Sequence, residues 1–221
     1  MNAKRRKPAQ SEPRAKGRSA EQTEPKAKGR KAEQSEATRR ALIAVARELF
    51  AERGYAAVGT EEVVRRAEVT RGALYHHFRG KRDLFRAVYE ETERELGESI
   101  AARIASSEDP WDLLVTGLRS FLDACQDPSL MQIGLIDAPS VLGWEEWREI
   151  GAEYGLGLVS AGLQNAMDAG VLRSQPVRPL AHLLLGALSE AGMVIANARG
   201  SAEVRRSIEE ALVRLLEGMR V

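Results

Sequence analysis

The sequence is short of the residues on which most redox and catalytic chemistry depends. One cysteine, Cys125, stands among 221 residues, which excludes an intramolecular disulfide and any cysteine-ligated metal cluster. A lone Cys in an apolar helical stretch reads as a small buried hydrophobe. Only three histidines are present, His76, His77 and the distant His182. No uninterrupted run of about 18 apolar residues occurs, and the basic opening lacks the apolar region of a signal peptide. These absences predict a cytoplasmic protein without a membrane partner. No nucleophile–base spacing, Gly-rich phosphate loop or metal-ligand cluster is found, so neither an enzyme nor a cofactor is expected.

What is present is a soluble composition, 43% hydrophobic and 29% charged, with an uneven distribution of charge behind its net +1. Residues 1–36 carry eleven Lys/Arg against five Glu, and residues 37–82 carry ten against five. Residues 83–221 carry twelve Arg against twenty-two acids. This asymmetry points to a nucleic-acid-facing end and a body that phosphates would repel.

Three segments follow from composition and periodicity. Residues 1–36 repeat with a twelve-residue period, PRAKGRSAEQTE then PKAKGRKAEQSE, and contain no aromatic, Leu, Ile or Val. Such a stretch cannot bury enough apolar surface to offset ordering entropy, so a disordered tail is expected. It reads either as a solubilising tail or as a basic arm adding nonspecific DNA affinity. Residues 37–82 hold three short helical patterns. The first carries Leu42, Ile43, Ala46, Leu49 and Phe50 on one face and stops at Gly54. The second starts at Thr60, placed as an N-cap before EEVVRRA, and the third starts after Thr70 as RGALYHHF. Residues 83–221 are helical as well. A long helix opens at Lys81, Pro110 starts the next, and 128–143 is an interrupted apolar segment. Trp144 to Ala169, Pro179 to Ala198 and the stripe from Val204 to Met219 complete about nine helices. The fold class is all-α.

Three short helices within a basic stretch, the third opening on Thr-Arg-Gly, fit a helix-turn-helix. The third helix of that motif lies in the major groove with its N-terminal residues on base edges. Thr70, Arg71, Ala73 and His76 are the exposed positions there, with Leu74 and Phe78 as buried anchors. Arg71 suits a bidentate contact to guanine, worth roughly 1–3 kcal/mol of discrimination. Tyr75, His77 and Lys81 fall where a phosphate backbone would pass, and Thr60 offers a hydroxyl to another phosphate. Adjacent histidines on a helix point about 100° apart and cannot chelate one ion well. The pair therefore reads as a DNA-contact feature.

At these residues the sequence resembles the tetracycline-repressor (TetR) family of bacterial transcription regulators. The likeness runs from about Thr38 to Val88 and centres on G-x-L-Y-x-H-F-x-x-K, Gly72 to Lys81. It departs at Glu68, where the family often has glycine in the turn. A left-handed backbone there would cost Glu roughly 1 kcal/mol. The resemblance implies that residues 83–221 form a ligand-binding and dimerisation domain. The last two long helices have more apolar surface than one antiparallel contact can cover. Gly186, Ala187, Ala191 and Gly192 would allow close approach in a four-helix bundle between two copies.

Candidate ligand contacts are the aromatics outside the DNA-binding part, Trp111, Phe121, Trp144, Trp147 and Tyr154. With them come Ile133, Ile136 and Asp137 of the interrupted segment, and Glu190, a second acid in apolar surroundings. The expected partners are a double-stranded DNA operator, a second copy of the chain and an unknown small-molecule effector. The competing expectation is a DNA-architectural protein that binds through its tail without an effector.

Overall fold

The computed structural model describes the backbone from Glu24 to Val221 and side chains from Ala32 onward. The disorder expected of residues 1–23 lies outside the described residues. From Glu24 the backbone is helical, which corrects the expectation for residues 24–36. The run of Lys, Ala, Glu and Gln that cannot form a core still has high helix propensity, and it continues an amphipathic helix.

In chain order the helices are α1 (Glu24–Ala57), α2 (Thr60–Arg66), α3 (Arg71–His77), α4 (Lys81–Ile104) and α5 (Pro110–Ala124). After them come α6 (Pro128–Leu130), a π-helical segment (Met131–Asp137), α7 (Ala138–Leu142), α8 (Trp144–Asp168), α9 (Val177–Asn197) and α10 (Ala202–Glu217). Residues 128–142 run on as one helix broken by the π turn. Counted so, the described residues give nine helices, as the periodicity predicts. The all-α fold class stands, since a single isolated bridge, Leu172 to Arg220, is the only β pairing among the described residues.

Several boundaries follow from single residues. Gly54 takes φ +75°, kinking α1 where the apolar stripe ends. Thr70 caps α3 by accepting the Ala73 N–H at 3.1 Å. Asp109 caps α5 ahead of Pro110, accepting the Asp112 N–H at 2.8 Å. One cap differs from expectation. Gly59, not Thr60, precedes α2 in extended conformation, because the buried Val58 anchors the chain one residue earlier.

Residues 38–221 form one compact unit. The core of the helix-turn-helix, including Leu42, Phe50, Val63, Leu74 and Phe85, continues into Tyr89, Ile133, Ala138, Leu142, Trp147 and Ile150. The charge boundary at residue 82 is therefore no boundary in packing. Two further apolar clusters join α5, α8, α9 and α10.

Helix α9 has the length and composition of a membrane span, with a mean hydropathy of 1.5 over its most apolar window, although Arg178, His182 and Glu190 interrupt it. It packs against α5, α8 and α10 through Ala181, Leu188, Ala191 and Ile195, as the core helix of a bundle does. An apolar surface nearly all round predicts burial on several sides. Within one chain, Leu183 is instead 73% exposed and Val194 40%.

Candidate nucleic-acid interface and effector cavity

The helix-turn-helix is assembled around two anchors. Leu74 and Phe78 are buried in the core beneath α3, each worth about 1.5–3 kcal/mol in burial. That fixes the opposite side of α3 outward. Thr70, Arg71, Gly72, Tyr75 and His76 are exposed, and Ala73, His77 and Lys81 are half-buried. The turn before α3 holds Glu68 at φ +55°, the left-handed conformation that favours glycine.

Arg71 is held loosely. Its guanidinium lies 3.4 Å from Glu61 and 5.6 Å from the Tyr75 ring, all at the surface. An exposed pair of this kind contributes 0–1 kcal/mol, roughly, so Arg71 is easily released to a base edge. The His76 and His77 rings meet edge-on at 5.1 Å. Lys81 is more engaged than a free phosphate contact would be. Its ammonium sits 4.0 Å from the Tyr55 ring and 3.5 Å from the Ala56 carbonyl. Partial burial lowers its pKa, and Asp137 opposes the shift. Thr60, the first residue of α2, is half-buried beside Glu61 and Glu62.

Asp137 does not face a ligand space. Its carboxylate accepts the Tyr55 N–H at 2.7 Å, just past the Gly54 kink. The π-helical segment thereby grips the end of α1. A second grip lies close by. Arg82 donates to the Val141 and Leu142 carbonyls at 3.2 and 3.0 Å and pairs with Glu146 at 2.5 Å. Trp147 donates its indole N–H to the Gly134 carbonyl at 2.9 Å, tying the segment to α8 as well.

Behind this segment lies a cavity of about 400 Å³, bounded by α4, α5, α8, α9 and Leu135 of the π turn. Its wall is mainly aliphatic, with Leu96, Ile100, Leu114, Leu158, Leu185 and Leu188 among the lining residues. Of the sequence candidates, Phe121, Trp147 and Tyr154 line it. The other six do not line it. Trp111 packs between two apolar clusters under the Arg220 guanidinium, 4.5 Å from its ring. Ile133 is turned into the core shared with the helix-turn-helix. Ile136 and Trp144 are half exposed, at 48% and 54%. Asp137 is taken by Tyr55, and Glu190 lies on the exposed side of α9.

The polar residue that sequence reasoning missed is Glu93. It lines the cavity, with carboxylate oxygens close to the Gly134 and Gly151 positions. Burial pushes its carboxyl up to about 7, only partly offset by a hydrogen bond from the Tyr89 hydroxyl. A signal was available, because Glu93 lies four residues after the buried Tyr89 and three before Leu96, on the inward face of α4. Cys125 is fully buried, and burial first, then Glu93, pushes its thiol up to about 12.

The DNA-reading head and the helical body both match known families. Residues 42–88 match the model described as bacterial regulatory proteins, tetR family, and residues 111–219 match the tetracyclin repressor-like C-terminal domain. The TetC protein of transposon Tn10 from Escherichia coli is 31% identical over 150 residues, 68% of this chain and 76% of the relative. The chain belongs to the TetR family. The regulator AcrR of Shigella flexneri shares 41% identity over 61 residues, 28% of each chain. A TetR-family regulator from Pectobacterium atrosepticum has a solved structure that superposes with a TM-score of 0.77 at 33% identity. That match covers 85% of this chain and 96% of the other. This TetR-family chain is thus a DNA-binding transcription regulator rather than an enzyme.

Proposed function

We propose that the chain is a homodimeric repressor that holds a palindromic operator and leaves it when a small organic molecule fills the cavity. The observation that carries this reading is the double attachment of residues 128–142. The segment walls the cavity through Leu135 and grips the DNA-reading head through Asp137 and the Arg82 contacts. A molecule that fits the cavity better when this segment is displaced would shift the dimer toward misplaced α3 helices.

On this reading Arg71 reads a guanine, with Thr70, Gly72, Ala73 and His76 at the groove floor. Tyr75, His77, Lys81 and Thr60 meet phosphates. Dimerisation uses the sides of α9 and α10 that expose Leu183, Val194 and Leu215. Gly192 and Ala191 serve a different contact from the one their small size suggests. Both are buried within the chain, and a Cβ at Gly192 would lie 3.1 Å from the Cys125 sulfur. A cytoplasmic location accords with a regulator of this family, and the comparisons lend no support to an architectural role through the tail.

The test follows Trp147 emission, since Trp147 lines the cavity. A compound that changes emission should weaken operator binding by about tenfold or more. A compound that fills the cavity and leaves operator affinity unchanged would refute release.

A further inference from the structure

The cavity wall carries two charged residues, Glu93 and Arg148. They are not partners. Arg148 leans out over the Trp144 ring at 5.6 Å and toward the Gly186 position of α9. Glu93 sits between the π turn and α8 beside Tyr89, whose hydroxyl also donates to the Trp147 carbonyl at 3.4 Å, and no cation among the described residues acts on it. A half-buried carboxylate in an apolar wall without a positive partner is disfavoured. Here that group is directed into an aliphatic space large enough for a small organic molecule.

We propose that the cavity takes a lipophilic amine, its protonated nitrogen on the Glu93 carboxylate and its hydrocarbon part against the aliphatic wall. The proposal rests on the effector-site reading above and names the chemistry of the occupant. Three features select a cation over the alternatives. An organic anion would meet Glu93 with repulsion. A neutral molecule would leave the ionised carboxylate unpaired. A protonated amine supplies the missing charge, and aromatic residues, which attract cations, stand in the same wall at Tyr89, Trp147 and Tyr154. The carboxyl, poised at about 7, ionises readily once a cation arrives.

The experiment compares 4-phenylbutylamine, 4-phenylbutanol and 4-phenylbutyrate for binding to the full-length protein at pH 8, read by tryptophan emission. The amine is expected to bind about tenfold or more tightly than the alcohol and the acid, as an opposite charge in a desolvated site implies. In Glu93→Gln the amine should fall to the level of the alcohol, with the alcohol unchanged. If that variant does not fold, the wild-type series decides alone. Equal binding of amine and alcohol, or an amine preference that survives Glu93→Gln, overturns the cation and leaves the effector cavity standing. Failure of all three to bind overturns the cavity reading as well.

Discussion

Glu68 carries the one left-handed backbone position in the turn that presents α3. Its side chain is exposed and forms no contact that would compensate the conformation. Glu68→Gly should therefore stabilise the protein by about 1 kcal/mol, raising Tm by roughly 2–4 °C. A Tm that stays or falls would show that the turn draws on the Glu side chain. Arg71 tests the DNA face at the same scale. Arg71→Ala should weaken specific binding by roughly 1–3 kcal/mol and relax selectivity at one base pair, measured by competition with mutated operators. A uniform loss across all sequences would make Arg71 a phosphate contact instead. Glu93 gives a pH signature. Its carboxyl is raised from the ordinary 4.5 to about 7 in the folded chain. Between those values the unfolded state releases its proton while the folded state keeps it, so this group's contribution to stability is lost as pH rises through that window. Beside it are Tyr89 on its own helix and Cys125 just past α5, while Arg148 of α8 lines the same cavity but leans toward Trp144, and the π turn and α9 bring no charged group to the cavity wall. The Tm of Glu93→Gln relative to wild type should rise from pH 5 to pH 8, and a constant difference would contradict the burial.

At the scale of the element, residues 128–142 touch both the helix-turn-helix and the cavity wall. Asp137→Ala removes the acceptor of the Tyr55 N–H, a loss of roughly 1–3 kcal/mol. Hydrogen exchange at Tyr55 should accelerate while the amides of α10 keep their protection. Unchanged protection at Tyr55 would mean that the grip contributes nothing. The exposed side of α9 makes a second prediction. Leu183→Arg should yield a folded monomer in sedimentation with operator affinity largely lost, and a persistent dimer would move the interface elsewhere. Helix limits were legible in the sequence because they depend on single residues acting locally: Gly54, Thr70, Pro110 and the glycine-replacing Glu68. Which inward residues meet the cavity was not. Ile133 and Leu135 lie two apart, on opposite sides of their helical segment, and contacts distant in the chain decide that the first meets the core and the second borders the cavity. Aromatic content misled for a related reason, since Trp111 and Trp144 satisfy themselves against Arg220 and Arg148.

Across the described residues, the charge division sets the basic helix-turn-helix apart from the acidic body, while the apolar core joins them. Residues 37–82 carry ten Lys/Arg against five Glu, and the acidic excess lies in residues 83–221. Yet Phe50, Phe85, Tyr89 and Trp147 belong to one packed cluster, so a change at the cavity has a continuous route to the head. Sequence composition showed the division and concealed the continuity, because burial at 133–150 depends on contacts far apart in the chain. The measurement that tests the account most directly is selection of bound sites from a random DNA pool by the full-length protein at physiological salt. The account predicts one enriched palindrome, the mark of a two-fold dimer reading two half-sites. Binding that enriches no sequence and follows salt alone would contradict it.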